Sequence, residues 1–197
     1  MHKVPAILLV FLMAIVGQGT AYGSPQPIVK FDIVYYPAEG RTISEIHDSM
    51  YRNSPIRSAE GTYGGLTTNT ITANYDLMQT SSGCEVRNPV VKLKSIVTLP
   101  RLTEDVRSVS TVREWERFIG ALRAHELMHA RNGQSIAKTV LTRLYNFKSA
   151  QACEAIRARL DQAISTLIEN MNEFDRHLDR DTSHGATQGA ALNLRIR

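Results

Sequence analysis

The chain has 197 residues, of which 43% are hydrophobic and 21% charged, with a formal charge of +4 at pH 7. That composition excludes disordered, fibrous and collagen-like chains and leaves an ordinary globular protein. The charge is mild, and the basic residues are spread over helix faces at Arg113, Arg117, Arg123, Arg131 and Arg143. No nucleic-acid partner is therefore expected.

At the N-terminus, Lys3 precedes an apolar run over residues 4–16 that is too short to span a bilayer comfortably. Small residues follow, and they fit a signal-peptidase site after Ala21 or Gly23. The expected organisation is a signal peptide over residues 1–23 and one domain over residues 24–197. The mature protein is then secreted or periplasmic, with no stable membrane insertion. In an oxidising compartment two thiols pair and stay paired, so Cys84 and Cys153, the only cysteines, are expected to form a disulfide.

The first half of the domain reads as strands. Apolar and polar residues alternate over residues 29–36 (Phe31, Ile33, Tyr35) and 70–78 (Ile71, Ala73, Tyr75, Leu77). A third strand is expected over 90–99, where Val91, Leu93 and Val97 share a face and Pro100 ends the run. Between the first two, residues 42–47 open a short helix that stops near Pro55. The polar stretch 79–83, closed by Gly83, reads as a turn.

From Thr111 the period becomes helical. Thr111 with Glu114 matches a capping box, and Trp115, Phe118, Leu122, His125, His129, Ile136, Val140 and Leu144 follow at helical spacing. One long helix, or two with a break at Asn132 and Gly133, accounts for them. After a short connection over 146–149, Ile156, Leu160, Ala163, Leu167, Met171, Phe174 and Leu178 define a second amphipathic helix, antiparallel to the first. The segment 181–189 gains glycine and reads as a loop. The fold expected is α+β and zincin-like: a small antiparallel sheet packed with a long antiparallel helical hairpin.

Residues 124–130, AHELMHA, contain an HExxH sequence inside the helical stretch. Two histidines at i and i+4 share a helix face, so both imidazoles reach one Zn²⁺. Glu126 is offset from His125, which suits it to act as the general base beside the metal rather than as a ligand. A catalytic zinc needs a third protein ligand. Metzincin spacing requires Gly at 132 and His at 135, where this chain has Asn132 and Ser135, so that class is excluded. Glu169 and Glu173 lie about 200° round the second helix from its apolar stripe and read as solvated, and Glu154 has no better claim. The third ligand is assigned to His184, in the polar loop beside Gly185, with Asp181 orienting its imidazole. His177 is the reserve ligand, and His47 carries no supporting motif.

Trp115 and Phe118 leading into His125-Glu126-x-x-His129, Cys153 at the next helix start, and the closing residues 181–189 (DTSHGATQG) resemble the bacterial family of predicted secreted zinc-dependent proteases of unknown function. Tyr36-Pro37 before a short helix, and Cys84 ahead of a strand ending in Leu99-Pro100, fit the same pattern. The resemblance implies zinc at His125 and His129, catalysis by Glu126 and a functional role for the His184 loop. The function expected is peptide-bond hydrolysis by a zinc metallopeptidase acting on protein or peptide. Its rivals are cell-wall peptide or amide bonds as substrate, and a zinc-binding protein without turnover.

Overall fold

The computed structural model describes residues 25–58 and 61–196. The signal peptide expected over residues 1–23 lies outside them. The elements in chain order are β1 (Ile28–Ala38), α1 (Ile43–Asn53), β2 (Arg57–Ser58), β3 (Gly61–Thr62), β4 (Leu66–Thr80), β5 (Gly83–Leu102), α2 (Val109–Tyr145), β6 (Lys148–Ser149) and α3 (Cys153–Thr182). A single 3-10 turn, Ala186–Gln188, follows α3.

The fold class is α+β, but the sheet is mixed rather than antiparallel. β5 is its middle strand. On one side β4 pairs with it antiparallel, from Leu66 opposite Thr98 to Thr80 opposite Gly83. On the other side β1 runs parallel to it, from Ile28 opposite Lys92 to Ala38 opposite Leu102, and β6 pairs with its start. Strand alternation is blind to direction. It marks which residues share a face and not which way a neighbour runs, and a parallel neighbour needs only a long enough connection. Here α1, the β2–β3 hairpin and β4 all intervene between β1 and β5.

β5 also passes through Pro100, where the sequence suggested an end. Its ladder to β4 stops at Thr98, so the missing N–H of Pro100 breaks no bond on that side. Along β5, Val91, Leu93, Ser95, Val97 and Leu99 are buried while Lys92 and Lys94 face solvent. The buried face packs on α2.

α2 is one unbroken helix of 37 residues. Its N-cap is Ser108, whose hydroxyl accepts from the Thr111 N–H at 3.1 Å, in place of the capping box expected at Thr111. Glu114 is engaged elsewhere, by Arg117 and the Asn193 N–H. Of the two readings of the sequence α2 is the single long helix, and Gly133 marks a close approach rather than a break: a Cβ there would lie 2.5 Å from Asn69 Cγ, so glycine lets α2 settle against β4. α3 returns antiparallel to α2, and its first residue, Cys153, is disulfide-bonded to Cys84 of β5.

Two apolar cores result. One gathers Ile43, Ile46 and Met50 of α1 with Val97, Leu99, Trp115, Phe118 and Leu122. The other gathers Ile71, Val91 and Leu93 with Val140, Leu141, Leu144 and Met171. The HExxH turn of α2 lies between them. Among the described residues no helix is long and apolar enough to cross a membrane.

Candidate metal centre

His125, Glu126 and His129 are all buried, because their turn of α2 faces β4 and α3. Such a position is costly for polar side chains unless each finds partners. Every one does. His125 Nε2 lies 2.9 Å from Asp179 Oδ1, His129 Nε2 lies 3.0 Å from the same oxygen, and the two Nε2 atoms are 3.3 Å apart.

The other ring nitrogens are engaged as well. His125 Nδ1 is 2.9 Å from Gln188 Oε1, and His129 Nδ1 is 3.0 Å from Asp175 Oδ1. Both outer partners are acceptors, so when the imidazoles are neutral, as metal binding requires, each Nδ1 keeps the proton and each Nε2 is the nitrogen turned inward. Asn132 holds Asp175 in turn, donating from Nδ2 to Oδ1 at 2.9 Å.

Two inward nitrogens and one carboxylate oxygen thus form a triangle with sides of 2.9, 3.0 and 3.3 Å. Donors about 2.0 to 2.1 Å from a tetrahedral zinc ion stand roughly 3.3 Å from one another, so the set fits a metal of that size with little adjustment. His125, His129 and Asp179 are the group able to hold a metal ion among the described residues.

Charge follows the geometry. Burial opposes the charged form of His129, but its bonds to Asp175 and Asp179 outweigh that and push its pKa up to about 10. For His125, burial is likewise outweighed, by Asp179 and Gln188, and its pKa is raised. The same two imidazoles overcome the effect of burial on Asp179 and hold its carboxyl below the usual carboxylate range.

Glu126 sits to one side, within reach of β4. Burial raises its pKa, against the opposing pull of the Thr67 hydroxyl and of both histidines. Thr67 Oγ1 is 2.8 Å from Glu126 Oε2 and 2.9 Å from the Glu126 carbonyl oxygen, so one hydroxyl can donate to either. A Cβ on Gly65 would lie 2.6 Å from Glu126 Oε1, so a side chain there would displace the carboxylate. Tyr36 Oη donates to the Gly64 carbonyl at 2.7 Å and fixes that loop.

The segment after α3 closes over the pair. Ser183, His184 and Gly185 all have positive φ, at 50°, 52° and 79°. This left-handed run turns the chain back across α2, and a Cβ on Gly185 would meet His125 Cγ at 2.9 Å. Beyond it, Arg117 donates to the carbonyls of Gly189 and Ala191, and Glu114 accepts from the Asn193 N–H. This clamp holds the strap that carries Gln188.

The residues expected from sequence fall into two groups. His125, Glu126 and His129 converge as described. His184 lies at the mouth, half exposed, with its ring 4.3 Å from the Tyr63 ring and its Nδ1 3.8 Å from Asp179 Oδ1. Asp181 points to solvent and pairs with Arg180 at 3.4 Å. His177 is exposed, 3.8 Å from Glu173 and accepting from Arg180 Nη2 at 2.5 Å.

Asp175 and Asp179 were missed. They follow Met171, the most buried residue of α3, by four and eight positions and so continue its face. Phe174, which the sequence placed on the buried stripe, is half exposed, and that error rotated the expected face away from the two aspartates. Thr67 and Gly65 carry no local signal, since only the fold brings β4 to Glu126.

A family model described as a bacterial protein of unknown function (DUF922) matches residues 33–185, well over half of the chain. No curated protein and no solved structure matches it.

Proposed function

The chain belongs to that bacterial family of unknown function, and from the geometry of its site we propose that it is a zinc-dependent peptidase. The carrying observation is the triangle of His125 Nε2, His129 Nε2 and Asp179 Oδ1, flanked by a buried carboxylate that is not one of its corners. In this reading Asp179 is the third ligand. His184 then stands on the substrate side, where its imidazole can donate to a substrate carbonyl while Tyr63 supports the ring.

Zinc, when bound, supplies a Lewis acid that polarises the scissile carbonyl and lowers the pKa of water. Glu126 accepts the water's proton and passes it to the leaving amine. A carboxylate whose pKa is raised by burial holds a proton more readily than an exposed one, which suits that shuttle. Thr67 keeps the carboxylate aimed, and Gly65 leaves it room. The disulfide suits an exported protein acting in an oxidising compartment. Protein or cell-wall peptide is the substrate class.

The test is zinc content measured together with hydrolysis of casein and of peptidoglycan, for the wild type and for Glu126→Gln. Zinc retained by both, with hydrolysis lost in the variant by a factor of at least about 10³, supports the reading. A zinc-loaded wild type that cleaves neither substrate turns it into a zinc-binding protein without turnover. His184→Ala is expected to keep zinc and lose turnover; loss of zinc instead makes His184 a ligand.

A further inference from the structure

β1 is an edge strand. β5 lies on one side of it, and among the described residues no strand pairs with the other. Edge strands are usually blunted by charge, proline or a covering element, because an open apolar edge recruits another strand. Over residues 28–34 the only charges on β1 are Lys30 and Asp32, opposite in sign, and Ile28, Val29, Phe31 and Val34 are all exposed beside them. α2 packs on β4 and β5; on the inner face of β1, Ile33 packs partly against the core while Val29 and Phe31 are left exposed. An open groove of about 490 Å³ runs between β1 and α2, lined by Pro27, Val29, Arg131, Gln134 and Lys138.

The order of residues in this strand is its own complement. Laid antiparallel on a copy of itself about Phe31, the run IVKFDIV places Ile28 opposite Val34, Val29 opposite Ile33, Lys30 opposite Asp32, and Phe31 opposite Phe31. Lys30 and Asp32 share the outer face, 3.7 Å apart within the strand, with side chains 70% and 45% exposed. Both are exposed, so each can exchange this partner for one across a new ladder.

Neighbouring registers lose this complementarity. Moving the centre one residue either way sets Lys30 against Lys30 or Asp32 against Asp32, and parallel pairing in register does both. Centring between two residues sets inner-face side chains against outer-face ones. The single register that pairs both charges also brings the inner-face Phe31 rings together, and sets Tyr35 of one copy opposite Pro27 at the groove of the other.

We propose that β1 is a homodimer interface, in which two copies join antiparallel about Phe31 into one continuous sheet with reciprocal Lys30–Asp32 pairs. It is independent of the metal centre, since β1 contributes none of the three ligands.

The experiment is sedimentation equilibrium on the purified protein across the micromolar range, with far-UV circular dichroism as a control for folding. The wild type is expected to dimerise reversibly. Lys30→Asp and Asp32→Lys each turn two attractive pairs into two repulsive ones and should weaken the dimer by at least about 10-fold. Mixing these two variants should restore it as a heterodimer, and the double exchange Lys30→Asp with Asp32→Lys should restore it within one chain. A monomeric wild type overturns the proposal, as does a dimer indifferent to single reversal or one that the double exchange fails to recover.

Discussion

α2 and α3 lie side by side and both feed the candidate metal centre, yet they are held in place by different physics. α2 buries residues along its whole length, from Thr111 to Leu144. α3 has 30 residues and buries only Ile156 and Met171. Apolar burial fixes a helix at about 25 cal/mol per Å², so α2 is secured by the two cores whatever happens at the site. α3 depends on its tether at Cys153, on Ile156, on Met171 and the partly buried Leu160, Ile164, Leu167 and Ile168 along one stripe, and on the aspartates that reach His125 and His129. One helix presents the histidines rigidly, and the other is brought to them by the bonds it makes there.

Breaking the tether should show this difference most strongly. The Cys84–Cys153 bond closes a segment with a sequence separation of 69. Removing it as Cys84→Ala with Cys153→Ala is expected to lower unfolding stability by about 4 kcal/mol. Urea titration measures the loss, and hydrogen exchange should place it mainly in the first half of α3. Equal loss of protection in α2 would show that the two helices are secured alike.

Asp179→Asn comes next. It keeps shape but removes the charge facing both Nε2 atoms, and zinc affinity by chelator competition should fall by more than about 100-fold. Thermal stability without metal should fall too, because the two buried imidazoles lose the negative charge that faces both Nε2 atoms. Asp175→Asn acts one step further out, through His129 Nδ1, and should cost between about 10-fold and 100-fold in affinity.

The smallest effect concerns the strap over the site. Its bond to Arg117, aided by the Asn193 N–H, depresses the Glu114 pKa against the opposing effect of burial. A carboxyl with a lowered folded pKa contributes stability above its unfolded pKa, near 4.5, and loses it as pH falls through the folded value. Proteolysis of residues 189–196 should therefore accelerate on acidification below about pH 4.5, with α2 still protected. No change would mean that Ala190, Leu192 and Ile196 hold the strap by packing alone.

The sequence was sufficient where the signal was local. Helical spacing from Trp115 to Leu144, the pairing of His125 with His129, and the two cysteines each depend on residues near in sequence or on count alone, and the helices, the disulfide and the two imidazoles stand where those signals put them. What the sequence could not carry was relative position between elements. The parallel run of β1 depends on its pairing with β5, with α1, β2, β3 and β4 lying between them in the chain. The choice of Asp179 depends on the rotation of α3 about its own axis, a matter of about 100° per residue. A half-exposed Phe174 misdirects any reading of that rotation from hydrophobicity. Only packing against α2 sets which face of α3 looks inward, and so only the tertiary structure decided that two aspartates lie beside the histidine pair.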